Sequence, residues 1–309
     1  MRGREGVFRM SGRTEKSVIL FFIDGLGIGP RSEDNPLFLN GDLEPLAYFD
    51  DDVSMRRLSD GGFMVRTDPR LFVEGRPQSA SGQTTILTGK NAPQILGFHK
   101  QGFPNAALRE VINEHSLFLQ LKKIGHERVL FANAYTPQFF QETPRWKSAT
   151  TVAVEAAGLR FRRLSDLLGR KALFHDFTNR ALIERGFDVP PFSESEAAEI
   201  LASLAAENSF VLYEHFLTDK IGHDRDFETA ARHLPALARF VRETLRRLDP
   251  EKTTFILTSD HGNIEDLSVR NHTLNDVPTI VWGRRSGEIA GQIKDLTDIT
   301  PAVLRLLTE

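Results

Sequence analysis

Asp260 and His261 stand side by side in the segment TSDHGN, and His272 follows eleven residues later. Carboxylate oxygen and imidazole nitrogen suit zinc and manganese, so this grouping is the raw material of a metal site. Three other stretches put chemistry-bearing residues at comparable places. The apolar run Val18 to Ile23 leads straight into Asp24 and a glycine-rich turn. The strand-like Phe210 to Tyr213 is followed by Asp219 and His223, four residues apart; on a helix such a pair faces one way and can grip one ion. In PQSASGQTTILTGKNAP, small residues lead into a short helical stretch ending near Gly89. Ser79 or Ser81 then lies at a helix N-terminus, where free N–H groups and the helix dipole favour an anion. Singly, each feature has an ordinary reading: Asp24 as a turn residue before Gly25, Asp219 with His223 as a surface pair, the serine as an N-cap. Four such positions in one chain point instead to a shared site, and a metal beside a serine hydroxyl would supply the activation that a nucleophile needs.

The elements that must position these residues follow from the apolar pattern. Thr253 to Leu257, TTFIL, reads as a strand buried on both faces of a parallel sheet, with Asp260 and His261 just past its carboxyl end. In open α/β sheets that edge is where ligands bind. Arg128 to Asn133 and Val277 to Trp282 are further expected strands. Helices are expected over 116–124 with Gly125 as stop, over 193–207, over 229–248 with Pro235 starting or kinking it, and over 299–307. Strands alternating with helices predict an α/β fold, a doubly wound and mostly parallel sheet with helices on both faces.

The ordered set Asp24, Ser79, Asp219 with His223, Asp260 with His261, then His272 resembles the alkaline phosphatase superfamily, most closely its cofactor-independent phosphoglycerate mutase and phosphopentomutase branch. The phrases IDGLGIGP, TDKIGHD, TSDHGNIED and NHTLNDVP are similar to that branch, and with LTDITPAVLRLL they span most of the chain. The resemblance implies two divalent metal ions, manganese or zinc, with a tilt to manganese. It implies one ion held by Asp24, Asp260, His261 and the nucleophile Ser79, the other by Asp219, His223 and His272. It also implies a phosphoserine intermediate on a small phosphorylated substrate. Asn263 and Thr273 are candidates to support the ligands or shape their loops.

The departures carry weight too. The mutases have Ser or Thr, two residues, then Gly-His, whereas Ser79 here is followed by Ala80, Ser81, Gly82 and Gln83. The missing histidine puts the family's substrate contacts in doubt and is expected to leave the metal ligands untouched. Ser79, three residues before Gly82, is preferred to Ser81 as nucleophile. With 309 residues the chain holds one large domain, here 17–309, after a basic tail over 1–16 that is expected to be disordered. The large inserted domain of the mutases is replaced by an excursion over about 136–207, expected to be a small lid, with Arg145 a candidate phosphate contact. His99 is a second candidate substrate contact; His215 reads as a core histidine.

The 39 basic and 42 acidic residues give a net charge of -3, which predicts no nucleic-acid footprint. No apolar run reaches membrane-spanning length and the first residues lack a signal-peptide core, so the expected location is the cytoplasm and no membrane partner is expected. The chain has no cysteine, which excludes disulfides and thiolate metal sites, and neither cysteine nor Ser-x-Pro-x-Arg marks a sulfatase nucleophile. The expected activity is metal-dependent hydrolysis of a small phosphate ester. The alternatives are a phosphomutase, a phosphodiesterase or nucleotide pyrophosphatase, or a non-catalytic module whose metals help capture an anion.

Overall fold

The run SVILFFI forms β1 (Ser17–Ile23), and every residue of it is buried, as a strand covered by helices on both faces must be. The structure, a computed structural model, describes residues 16–41, 43–141 and 146–309. The expected tail therefore lies outside the described residues, Lys16 apart, and so does Arg145. The remaining strands are β2 (Met55–Arg57), β3 (Phe63–Thr67), β4 (Val129–Phe131), β5 (Ala134–Tyr135), β6 (Arg162–Arg163), β7 (Phe210–His215), β8 (Thr253–Ser259) and β9 (Val277–Trp282).

The seven-stranded sheet runs β2-β3-β9-β8-β1-β7-β4, with β5 and β6 paired separately. β1 is central and pairs in parallel with β7 on one side and β8 on the other, and β4 extends the parallel block beyond β7. β9 is antiparallel to β8, β3 is antiparallel to β9, and β2 is antiparallel to β3. Five strands thus share one direction and β2 and β9 oppose it, a mostly parallel sheet with an antiparallel edge.

Alternation along β1 sends its side chains into two separate cores. Ile19, Phe21 and Ile23 pack with the helices Glu194–Glu207 and Phe227–Arg247; Val18, Leu20 and Phe22 pack with Ser79–Thr88, Leu117–Lys123, Ala149–Ala156 and Ile299–Thr308. Phe21 shows how densely the first core is filled, its ring lying 5.0 Å from Tyr213, 5.4 Å from Phe240 and 5.6 Å from Phe255. Removing such a ring costs about 3–5 kcal/mol. Helix starts obey local chemistry. Ser193 and Glu196 close a capping box on Glu194–Glu207. Asp226 accepts from Thr229 N and starts the long helix at Phe227, so Pro235 lies inside it and does not begin it.

Register sets the geometry that function needs. Ile23 stands opposite His215 on β7 and opposite Ser259 on β8. The chain therefore leaves three neighbouring parallel strands at one level, at their carboxyl ends. Among the described residues no helix is long and apolar enough to cross a membrane.

Candidate metal centre

Asp24 follows β1, Asp260 and His261 follow β8, and Asp219 and His223 ride on the helix Leu217–Asp224 that follows β7. Close approach of these segments depends on two glycines. Gly25 has φ +74°, and a Cβ there would sit 2.8 Å from the Asp219 Cα. On the helix Ser79–Thr88, a Cβ at Gly82 would lie 2.9 Å from Asp260 Cβ. Each position lets one ligand-bearing segment pass against another where a side chain would hold them apart.

Seven of the sequence-selected residues come together here. His261 Nε2 lies 3.0 Å from Ser79 Oγ, 3.2 Å from Asp24 Oδ1 and 3.5 Å from Asp260 Oδ2. Asp219 lies 3.4 Å from both His223 Nε2 and His272 Nε2, and the two imidazole nitrogens are 3.2 Å apart. The rings of His261 and His272 stack at 3.6 Å, joining the two groups. Two sets of ligand atoms could each hold an ion: Asp219, His223 and His272, and Asp24, Asp219 and His261. The division differs slightly from the one the family resemblance implies, because the Asp219 carboxylate is within reach of both sets.

Orientation of the imidazoles supports the same use. His272 Nδ1 faces Pro77 O at 2.9 Å, His223 Nδ1 faces Arg270 O at 2.7 Å, and His261 Nδ1 is 3.4 Å from Gly262 O. A carbonyl on Nδ1 fixes the proton there and turns Nε2 inward as the free lone pair, the arrangement of metal-ligating histidines. Asp24 Oδ1 is buried without a well-formed hydrogen bond, with His261 Nε2 3.2 Å away, an oxygen whose burial calls for a cation. The ligand atoms of one tetrahedral zinc are spaced by about 3.3 Å, given metal–ligand bonds of about 2.0 Å, close to the spacings above. The residues present therefore fit divalent metal ions.

Electrostatics shows the same demand for positive charge. Burial, then the charge of Asp24, pushes the Asp260 carboxyl well above its usual range. Burial pulls His261 down, but the carboxylates of Asp260, Asp24 and Asp219 override it and push its imidazole up to about 10. Burial also acts to raise Asp219, yet its bond with His272, the charge of His261 and the Asn263 amide together hold it below the carboxylate range. Three carboxylates converging out of water stabilise whatever cation they surround.

Ser79 is the first residue of its helix, where its backbone N–H has no helical acceptor. It makes no cap; Gln78 holds the cap position without a side-chain bond. Ser81 is occupied elsewhere, donating to Gln78 O at 3.2 Å and accepting from Lys100 N at 3.1 Å. His99 does not join the group: its Nε2 is 3.2 Å from Val73 O, which turns the ring toward the loop before Ser79. His215 is fully buried between His175 O and the His233 ring.

Two residues that motif reasoning passed over are central. Gln83, one turn along from Ser79, donates to Asp24 Oδ2 at 3.0 Å and to Asp260 Oδ2 at 3.3 Å. The departure from the mutase histidine therefore touches the ligand carboxylates, contrary to the expectation that they are unaffected; the i, i+4 spacing from Ser79 was the available signal. Glu265, fully buried, accepts from Gly27 N at 3.0 Å, Asn263 N at 2.7 Å, Asn275 Nδ2 at 3.0 Å and the Thr273 hydroxyl. It ties together the loops that carry Asp24, Asp260–His261 and His272. Asn263 donates to Asp219 Oδ1 at 2.7 Å.

A cleft of about 600 Å³ opens beside Asp24, Ser79 and Asp219, and Thr136, Phe139, Ser148, Phe174 and Arg185 of the excursion contribute to its lining.

A family model described as the Metalloenzyme superfamily matches residues 160–308. A 2,3-bisphosphoglycerate-independent phosphoglycerate mutase of Halobacterium salinarum is 30% identical over 155 residues, 45% of this chain and 30% of the relative. Another, of Metamycoplasma hominis, is 22% identical over 276 residues, 84% of this chain and 52% of the relative. The chain thus spans about half or less of the length of these mutases. The cold-active alkaline phosphatase of the psychrophile Shewanella sp. shares the fold, with a TM-score of 0.53 at 13% identity over 95% of this chain and 100% of that one. With the fold of that phosphatase, a family match over residues 160–308 and mutase relatives across much of its length, the chain is similar to metalloenzymes of the alkaline phosphatase superfamily.

Proposed function

We propose that this chain is a metal-dependent phosphoryl-transfer enzyme that hydrolyses a small phosphate ester through a phosphoserine at Ser79. One observation carries the reading: Ser79 Oγ, at a helix N-terminus and bordering an open cleft, lies 3.0 Å from His261 Nε2 in the ligand cluster. Asp24, Asp260, His261 and Ser79 would hold one divalent ion and Asp219, His223 and His272 the other, with Asp219 near both. Zinc and manganese both suit this mixture of carboxylate and imidazole. Bound, the ions would supply charge neutralisation for the phosphoryl group and a lowered proton affinity for the nearby hydroxyl. Ser79 Oγ then gives up its proton and attacks phosphorus; the Oγ–P bond forms as the P–O bond to the ester oxygen breaks, and that oxygen takes up a proton and departs as an alcohol. The backbone N–H groups of Ser79 and Ala80, the first of the helix, would receive and orient the phosphoryl oxygens. Water next attacks the phosphoserine, releasing phosphate and restoring Ser79. Gln83 holds Asp24 and Asp260 in place while Ser79, four residues away on the same helix, reacts.

The test is phosphate release and product identity from a panel of phosphomonoesters, sugar phosphates and diesters, on metal-stripped protein reloaded separately with manganese and zinc. Metal-dependent release from monoesters supports the reading. An isomerised product with no free phosphate would make the enzyme a mutase, and release only from diesters a phosphodiesterase. Ser79→Ala is expected to lower turnover by at least about a thousandfold with metal binding retained. Full activity in that variant would remove Ser79 as nucleophile, and retained metal binding with no turnover of any ester by the native protein would favour an anion-binding module.

A further inference from the structure

The cleft beside the centre is walled by aromatic rings from separate stretches of chain: Phe103, Phe131, Tyr135, Phe139, Phe174 and Phe216. Phe216 stacks on His175 at 4.0 Å and 27°, and Phe103 on Trp146 at 6.3 Å and 17°; both phenylalanines keep an exposed face, at 39% and 45%. His175 also lines the cleft, and burial, then Arg185 and Lys220, pull its imidazole down to about 3, so it presents a neutral ring.

Several polar groups in the wall are committed to one another, although His175 Nδ1 has no partner. Tyr135 Oη and Ser148 Oγ each lie 2.9 Å from Thr151 Oγ1. The Asn133 amide is spent on the Glu214 backbone, donating at 2.7 Å and accepting at 3.0 Å. A sugar or hydroxyacid entering here would leave hydroxyls facing rings that cannot bond them, each at a desolvation cost. Aromatic faces instead favour an offset-stacked planar ring. The volume suits one small organic group. Arg185 and Lys220 line the same space and form no ion pair with another described residue, so the cationic charge in the wall is free for an anionic ligand.

We propose that this cleft receives a planar aromatic or heteroaromatic ring, so that the substrate is a phosphate monoester built on such a ring, an aryl-type ester or a nucleotide, and not a hydroxyacid or simple sugar phosphate. The inference rests on the phosphoester reading above and names the substrate class of the same site.

Two matched pairs of esters isolate the ring from leaving-group chemistry: AMP against ribose 5-phosphate, and benzyl phosphate against propyl phosphate, all on the full-length, metal-loaded protein. The ring-bearing member of at least one pair is expected to lead in kcat/KM by about tenfold or more, as base–aromatic stacking allows. A lead within both pairs assigns any planar ring, and a lead confined to AMP assigns a nucleotide. Calorimetric binding of benzylphosphonate against propylphosphonate, neither of which can be hydrolysed, reads the cleft independently of turnover. Tighter binding of benzylphosphonate with no ester hydrolysed keeps the ring site and removes the hydrolase reading. Phe103→Ala and Phe216→Ala should each shrink the ring preference several-fold, and Phe72→Ala, exposed and not among the residues lining the cleft, should not. Equal kcat/KM within both pairs, together with equal phosphonate affinities, overturns the proposal.

Discussion

Glu265 shows how one carboxylate can organise a metal centre that it does not ligate. Its two oxygens take two backbone N–H groups, an amide and a hydroxyl. Gly27 and Gly262 are bare because a Cβ at either would lie 2.1 Å from Glu265 Oε1. A glutamine cannot take over unchanged. Its NH2 cannot face the Gly27 and Asn263 N–H groups, so it must face Thr273 and Asn275, and both of those would have to reverse and become acceptors. The lost charge also weakens the bonds that remain, since hydrogen bonds to charged groups are the stronger ones. Glu265→Gln is therefore expected to cost roughly 2 kcal/mol, seen as a fall in Tm of about 5 °C for a domain of this size. Metal affinity measured by calorimetry should fall with it, because the loops bearing Asp24, His261 and His272 share this anchor. An unchanged Tm would mean that the loops hold themselves. Gln83 acts at shorter range, and the two residues differ in how they could be found. Gln83 shares a helix face with Ser79, whereas the partners of Glu265 at position 27 lie over two hundred residues away in sequence.

At the scale of elements, the centre is an intersection of strand ends with one helix, and the tightest crossing is Gly82 against Asp260. Gly82→Ala offers two opposed effects whose sizes decide the outcome. Alanine inside a helix is favoured over glycine by about 1 kcal/mol. A Cβ at 2.9 Å from both Asp260 Cβ and its carbonyl oxygen meets backbone in a fully packed crossing, where overpacking typically costs about 1–3 kcal/mol. The helix must shift away from Asp260, carrying Ser79 and Gln83 with it. Gly82→Ala is expected to fold, with a Tm within a few degrees of the native protein, yet to lose at least about a hundredfold in kcat, the cost of misplacing a reacting group by about 1 Å. Native kcat would show that the crossing has room to spare. The strands that lead to the centre were legible in the sequence because β1, β7 and β8 are apolar runs with Asp or His within a few residues of their ends, a pattern set by burial on both sheet faces. The short elements were not. β2 is three residues long and β5 and β6 two each, too short for any periodicity to register. The antiparallel direction of β9 was hidden too, since a run such as VPTIVW reads alike in either sense.

For the molecule as a whole, the sheet is a rigid frame that delivers charge to one edge. Asp24, Asp219 and Asp260 arrive there after three adjacent strands. The cleft is the part of the molecule that the sequence concealed most: its aromatic wall is assembled from residues 103, 131–139, 174 and 216, which no local pattern connects. Convergence of carboxylates has a thermodynamic consequence. Ions that bind the folded centre and not the separated ligands of the unfolded chain stabilise the fold by mass action, by about 2.7 kcal/mol per site at a hundred times Kd. For a domain of this size that corresponds to a rise in Tm of about 5 °C or more for one ion. Chelator-treated protein titrated with metal and followed by calorimetry should show this rise, reversed by renewed chelation. At equal free concentration zinc should raise Tm further than manganese, following the affinity order for nitrogen and oxygen ligands. Ser79→Ala should keep most of the rise, because the Asp and His ligands are intact, whereas Asp219→Asn should lose the larger part, because its carboxylate reaches both sets of ligand atoms. A Tm indifferent to both metals would mean that the three carboxylates are held by protonated His261 alone and that the centre is not a metal site.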